Sequence, residues 1–200
     1  FGPAGGLKSQ LESADLPSAV ADVQLIDLFD ESETVEAGHE VLLIPGAGPI
    51  GTESRTGDIV AIRSPAGLSL EPRPLATEMP KPGERVWLAA SLLSGAPRDQ
   101  RLHPAKVEGP DEDGFLLYAL DDPKTELRAT SGAPILNADG EVVAVHAGST
   151  RDGERLLGVG TPFSKFLMAL RGTIAKSGEP PRNENNGMMR NTPRRRRPVR

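Results

Sequence analysis

Apolar runs only a few residues long, each soon broken by Gly, Pro, Asn or Asp, recur from residue 23 to residue 160. A chain punctuated like this can bury a core only by bringing many short strands together. The 22 glycines and 19 prolines among 200 residues supply the turns such strands need, and they argue against a helical bundle. Aromatic residues make up only 4%, so aliphatic side chains must fill the interior. The length suffices for one domain, or one two-lobed unit, with a sizeable core. There is no cysteine, which excludes disulfides and cysteine–zinc sites. No apolar run approaches the roughly 18 residues that a membrane span requires.

The strand-like runs fall at 23–29, 40–45 and 58–63, then, after a Pro-rich link over 64–84, at 85–91, 104–108, 115–120, 133–136, 141–146 and 156–160. One segment carries helical spacing instead. Thr161 is placed to cap it and Pro162 to occupy its first position, with Phe163, Phe166, Leu167 and Leu170 on one apolar face. These elements predict an all-β fold closed by a C-terminal helix over residues 1–176. Residues 177–200 are rich in Pro, Asn and Arg and nearly free of apolar side chains, so they read as a disordered basic tail. Seven arginines against two glutamates give that tail a charge of +5, which leaves the first 176 residues at −10. The opening Phe1-Gly-Pro-Ala-Gly-Gly resembles neither a start nor a signal peptide. It is read as a truncated or processed end, and it gives no targeting information.

The segment with the most chemical content is Thr130-Ser-Gly-Ala-Pro-Ile-Leu-Asn-Ala-Asp-Gly-Glu-Val-Val-Ala-Val-His-Ala-Gly148. A glycine after Ser131 permits the tight bend that exposes a hydroxyl, and Pro134 opens a strand where no ladder donor is needed. The turn at residues 137–140 then leads into a second strand ending at Gly148. Taken alone, this pattern also fits an ordinary β-hairpin. Upstream, Gly57-Asp-Ile-Val-Ala-Ile-Arg63 sets an aspartate at the head of an apolar run.

In this chain order the two segments resemble the trypsin-like serine peptidase family, and Pro82-Gly-Glu-Arg-Val-Trp87 resembles the opening of its second barrel. The resemblance covers residues 20–172. It implies two six-stranded barrels, the first incomplete here over residues 1–63 and the second with its helix over 85–176. It implies Ser131 as nucleophile, Asp58 as the carboxylate that orients a catalytic histidine, and the backbone amides of Ala129 and Ser131 as the oxyanion hole. The strand through His146, Ala147 and Gly148 would form one wall of the substrate pocket. The substrate would be a peptide or protein, with no cofactor and no metal. The residues themselves leave the location open, and only the resemblance favours a secreted or periplasmic one. Ala129 departs from the pattern, because the family usually has glycine there and alanine reaches positive φ only at a cost.

A serine needs a neighbouring base. In the family two strands separate the catalytic histidine from the aspartate strand, so it should precede Val23 and lie upstream of Phe1. His39, His103 and His146 then read as strand-end or turn residues. The rival reading is an inactive trypsin-like domain that binds a peptide or partner; a third makes the basic tail the working part of a β-rich scaffold. Other signals are weaker. Gly46-Ala-Gly-Pro-Ile-Gly51 lacks the donor and the following helix of a phosphate loop. Asp27, Asp30, Glu31, Glu33 and Glu36 lack calcium-loop spacing and read as a solvated turn. The run Arg194–Arg197 could engage nucleic acid or an acidic surface, but it reads first as a solubilising tail.

Overall fold

The computed structural model describes residues 13–20, 23–26, 34–38, 40–48, 57–63, 72–97 and 99–176. The basic tail, His39, the acidic residues 27–33 and the end of the Gly46 loop lie outside them. Among the described residues the chain forms a short helix α1 (Leu16–Ala19), four strands β1 (Val23–Ile26), β2 (Thr34–Gly38), β3 (Glu40–Leu42) and β4 (Ala61–Arg63), and then six more. These are β5 (Arg85–Ala89), β6 (Leu102–Pro110), β7 (Leu116–Leu120), β8 (Pro134–Leu136), β9 (Val142–Asp152) and β10 (Arg155–Pro162), followed by helix α2 (Phe163–Lys176).

The last six strands close into a barrel in the order β10-β7-β6-β5-β8-β9, with β9 returning to β10. Closure follows from the period-two pattern. Val86 and Leu88 of β5, Ala105 and Val107 of β6, Leu116 and Tyr118 of β7 and Ile135 of β8 all point inward and are buried. β10 contributes two glycines to the interior. A Cβ at Gly158 would stand 2.3 Å from Cζ of Tyr118, and one at Gly160 would stand 2.7 Å from Cδ1 of Ile135. The alternation of large and absent side chains is how a small barrel fills its interior without voids. The turn from β8 to β9 forms as its sequence indicates: Oδ1 of Asn137 accepts from the amides of Asp139 (3.0 Å) and Glu141 (2.9 Å), with Gly140 at φ 77°. Part of the link joins the barrel too, since the amide of Ala76 donates to the Val142 carbonyl and the Val142 amide to that of Pro74.

Ahead of the link, β1 pairs with β2 and β3 with β4, giving two separate two-stranded sheets. β2 was not anticipated. β4 starts at Ala61 rather than Asp58, which lies in a bend three residues earlier. The helix cap also differs from expectation. Thr161 and Pro162 complete β10, the helix begins at Phe163, and the Thr161 hydroxyl caps nothing. Strand pairing to Val145 and Ala144 outweighs the local cap signal. α2 buries Phe166, and Oγ1 of Thr173 donates to the Leu43 carbonyl (3.3 Å), tying the helix to the chain just after β3.

Candidate active site

The Ser131 loop hangs between Leu127 and β8 and is built from two consecutive turns. In the first, Oγ1 of the buried Thr130 donates to the Leu127 carbonyl (2.7 Å) and Ala129 takes φ 62°. In the second, the Ala133 amide donates to the Thr130 carbonyl (3.0 Å) and Gly132 takes φ 92°. A positive φ is ordinary for glycine but costs alanine about 1 kcal/mol or more. Ala129 therefore holds a left-handed conformation that is costly for its side chain. Neither the Ala129 amide nor the Ser131 amide makes a backbone hydrogen bond among the described residues.

The loop is fastened to β9 from one side. The Gly132 amide donates to the His146 carbonyl and the His146 amide to the Ala133 carbonyl, both at 2.8 Å. Ser131 is left exposed, and its Oγ makes one long contact, 3.5 Å to the Ala147 carbonyl. Ala147 itself sits in a β-bulge, because β10 pairs Gly148 with Val159 and His146 with Gly160 and leaves nothing opposite it. Bulges of this kind re-aim the backbone next to functional groups.

His146 turns away from this surface. Its side chain points into the barrel and is only 1% exposed, where Tyr118 Oη lies 2.8 Å from Nδ1. The ring is therefore shut off from solvent, whereas Ala147 and Gly148, the next two residues of β9, are half-buried. Burial lowers the His146 pKa to about 4 and pushes Tyr118 far above the usual phenol range. The imidazole is thus neutral near pH 7. With the phenol donating to Nδ1, its proton rests on Nε2, which has no partner among the described residues. His103 is buried as well, with Nε2 3.0 Å from the Ala90 carbonyl. His103 lies near the start of β6, but His146 lies within β9 rather than at a strand end or in a turn, because β9 runs on to Asp152; the ring partners are the Ala90 carbonyl and Tyr118 respectively.

Asp58 is exposed, but its neighbour Gly57 packs closely on the barrel. A Cβ at Gly57 would lie 2.9 Å from both Oγ1 and Cγ2 of Thr161. Thr161 pairs across the ladder with Val145, two residues along β9 from the Ala147 that accepts Ser131. The 57–58 segment and the Ser131 loop therefore approach neighbouring stretches of one barrel wall. The sequence hid this meeting, because Thr161 reads locally as a helix cap; the alternation of Gly158, Gly160 and Pro162 with Val159 and Thr161 is the signal that turns Thr161 outward. Among the described residues no cluster of three His, Cys, Asp or Glu could hold a metal ion, and no helix is long and apolar enough to cross a membrane.

No family model and no curated protein matches the chain. Among solved structures, it is similar to crystal structures of Rv3671c from M. tuberculosis. A serine-to-alanine mutant of that protein in an inactive form overlaps with a TM-score of 0.46 at 20% identity, over 72% of this chain and 68% of the other. The Rv3671c protease in its inactive form gives a TM-score of 0.47 at 20% identity, over 76% and 71% of the two chains. Its active form gives 0.41 at 21% identity, over 60% of this chain and 52% of that one.

Proposed function

We propose that this chain carries the nucleophile of a serine endopeptidase that cleaves peptide bonds through an acyl-enzyme at Ser131. One observation carries the reading: Ser131 is exposed between two residues at positive φ, with its own amide and that of Ala129 unused, on a loop clamped to β9. An exposed hydroxyl flanked by unpaired amides suits attack on a carbonyl whose oxygen then gains negative charge. In this reading Oγ bonds to the carbonyl carbon as a histidine takes its proton, the amine leaves with that proton, and water later releases the acyl group. The histidine is none of His39, His103 and His146, and Asp58 holds its tautomer.

The test uses the full-length protein and a fluorophosphonate probe. Ser131 should be the residue labelled, Ser131→Ala should abolish labelling, and Asp58→Asn should lower turnover by about 10⁴ through the wrong imidazole tautomer. A folded protein whose Ser131 never reacts refutes the reading. One observation favours the alternative of an inactive peptide-binding domain: the partner of the Ser131 hydroxyl is a carbonyl, to which it donates rather than yields a proton. Peptide binding with no labelling would establish that alternative.

A further inference from the structure

We propose that Thr161 is a positioning residue for Asp58, its hydroxyl donating to the Asp58 carboxylate and fixing how that carboxylate faces the barrel wall. The inference rests on the peptidase reading for one of its two readouts and stands apart from it for the other.

The starting point is an unmade hydrogen bond. Thr161 is only 1% exposed, yet its Oγ1 has no partner among the described residues. A buried hydroxyl without a partner is costly, and native structures seldom keep one for no purpose. Local duty does not explain it: the helix starts two residues later, and the hydroxyl does not cap it. Nor does the barrel interior, because Gly158 and Gly160 face inward on either side of Val159 and so turn Thr161 outward.

What the hydroxyl faces is Gly57. The missing side chain there leaves Oγ1 and Cγ2 of Thr161, each 2.9 Å from the Cβ position, with Cε1 of Phe115 at 3.0 Å. Any larger residue would lift the chain away from Thr161, so glycine brings the next residue, Asp58, to the threonine. A carboxylate is the strongest acceptor available to a neutral hydroxyl. Lys165, in the first turn of the helix, is engaged elsewhere. It donates to the Asp113 carbonyl and lies 4.0 Å over the Phe115 ring. Asp58 is exposed and needs only to turn its side chain toward the wall. A carboxylate held in this way presents its other oxygen in one direction, which is what orienting an imidazole demands.

Thr161→Val, which replaces the hydroxyl by a methyl of nearly equal size, and Thr161→Ser, which keeps it, test the proposal in the full-length protein. Thr161→Val should slow fluorophosphonate labelling of Ser131 by about 10-fold or more, the worth of a hydrogen bond to a charged group. Thr161→Ser should stay within about two-fold of the parent, and Thr161→Val should add nothing in an Asp58→Ala background. Equal slowing in both backgrounds, or none, overturns the proposal. Thermal unfolding of the parent, Thr161→Val, Asp58→Ala and the double variant gives a readout that needs no activity. If the hydroxyl donates to Asp58, Thr161→Val lowers Tm in the parent and not in Asp58→Ala; if it is idle, the swap raises Tm in both and the proposal falls. Absence of labelling in the parent would refute the peptidase reading and leave the Tm cycle to decide Thr161.

Discussion

The β5–β10 barrel and the β1–β4 region are built from similarly short strands, yet among the described residues the barrel buries far more of its apolar side chains. Val86, Leu88, Leu116, Tyr118 and Ile135 are fully buried inside it. Leu43, Val60 and Ile62, around β3 and β4, remain 39%, 44% and 37% exposed. The difference is one of closure. Six strands that return on themselves leave no edge and offer a shared interior, whereas a two-stranded ladder offers one face and two edges. Ser131 belongs to the sealed region and Asp58 to the open one, so a site that uses both depends on how the open region lies on the barrel wall.

Truncating one side chain in each region puts the contrast to its largest test. Leu88→Ala removes a fully buried side chain and should cost about 3 kcal/mol, whereas Ile62→Ala should cost under about 1 kcal/mol because much of its surface stays wet. Urea unfolding of both variants measures the gap, and equal costs would mean that the two regions are sealed alike. Next in size is the acid response of the barrel. The folded pKa of His146, about 4, lies below the unfolded value near 6.5, so its contribution to stability is complete above pH 6.5 and is lost as pH falls. About 2 kcal/mol should be gone at pH 5 and about 3 kcal/mol below pH 4. His146→Gln should flatten that part of the curve; a variant with the same slope would place the titrating group elsewhere. Because the His146 backbone clamps the Ser131 loop at Gly132 and Ala133, protection of the Gly132 amide relative to its intrinsic exchange rate should fall over the same pH range.

The smallest effect sharpens the comparison at the loop itself. Ala129→Gly relieves a left-handed alanine at φ 62° but loosens the unfolded chain, so the net gain should be at most about 1 kcal/mol, or a rise in Tm of about 2–4 °C. A fall in Tm would show that the Ala129 methyl makes contacts worth more than the strain.

Much of the barrel was legible because its information is local and periodic. The runs at 104–108 and 115–120, the Asn137 turn and the apolar face around Phe166 each announce themselves over a few residues. β2 and the start of β4 were not legible, since short strands with one partner take their bounds from pairing rather than from propensity. The same limit misassigned Thr161: a Thr-Pro before an apolar stripe reads as a helix start, and only its pairing with Val145 makes it a strand.

The sequence by itself determined that the chain would be a set of short strands with a closing helix, and that Ser131 would stand at a tight turn before a hairpin. Those outcomes depend on side-chain period and on glycine, which act over a few residues. Tertiary structure alone decided that His146 faces Tyr118 in the interior, that Ala129 is held left-handed, and that Gly57 rests on Thr161. Each of these depends on residues distant in the chain, and barrel closure is what fixes the face, the register and the neighbour of each one.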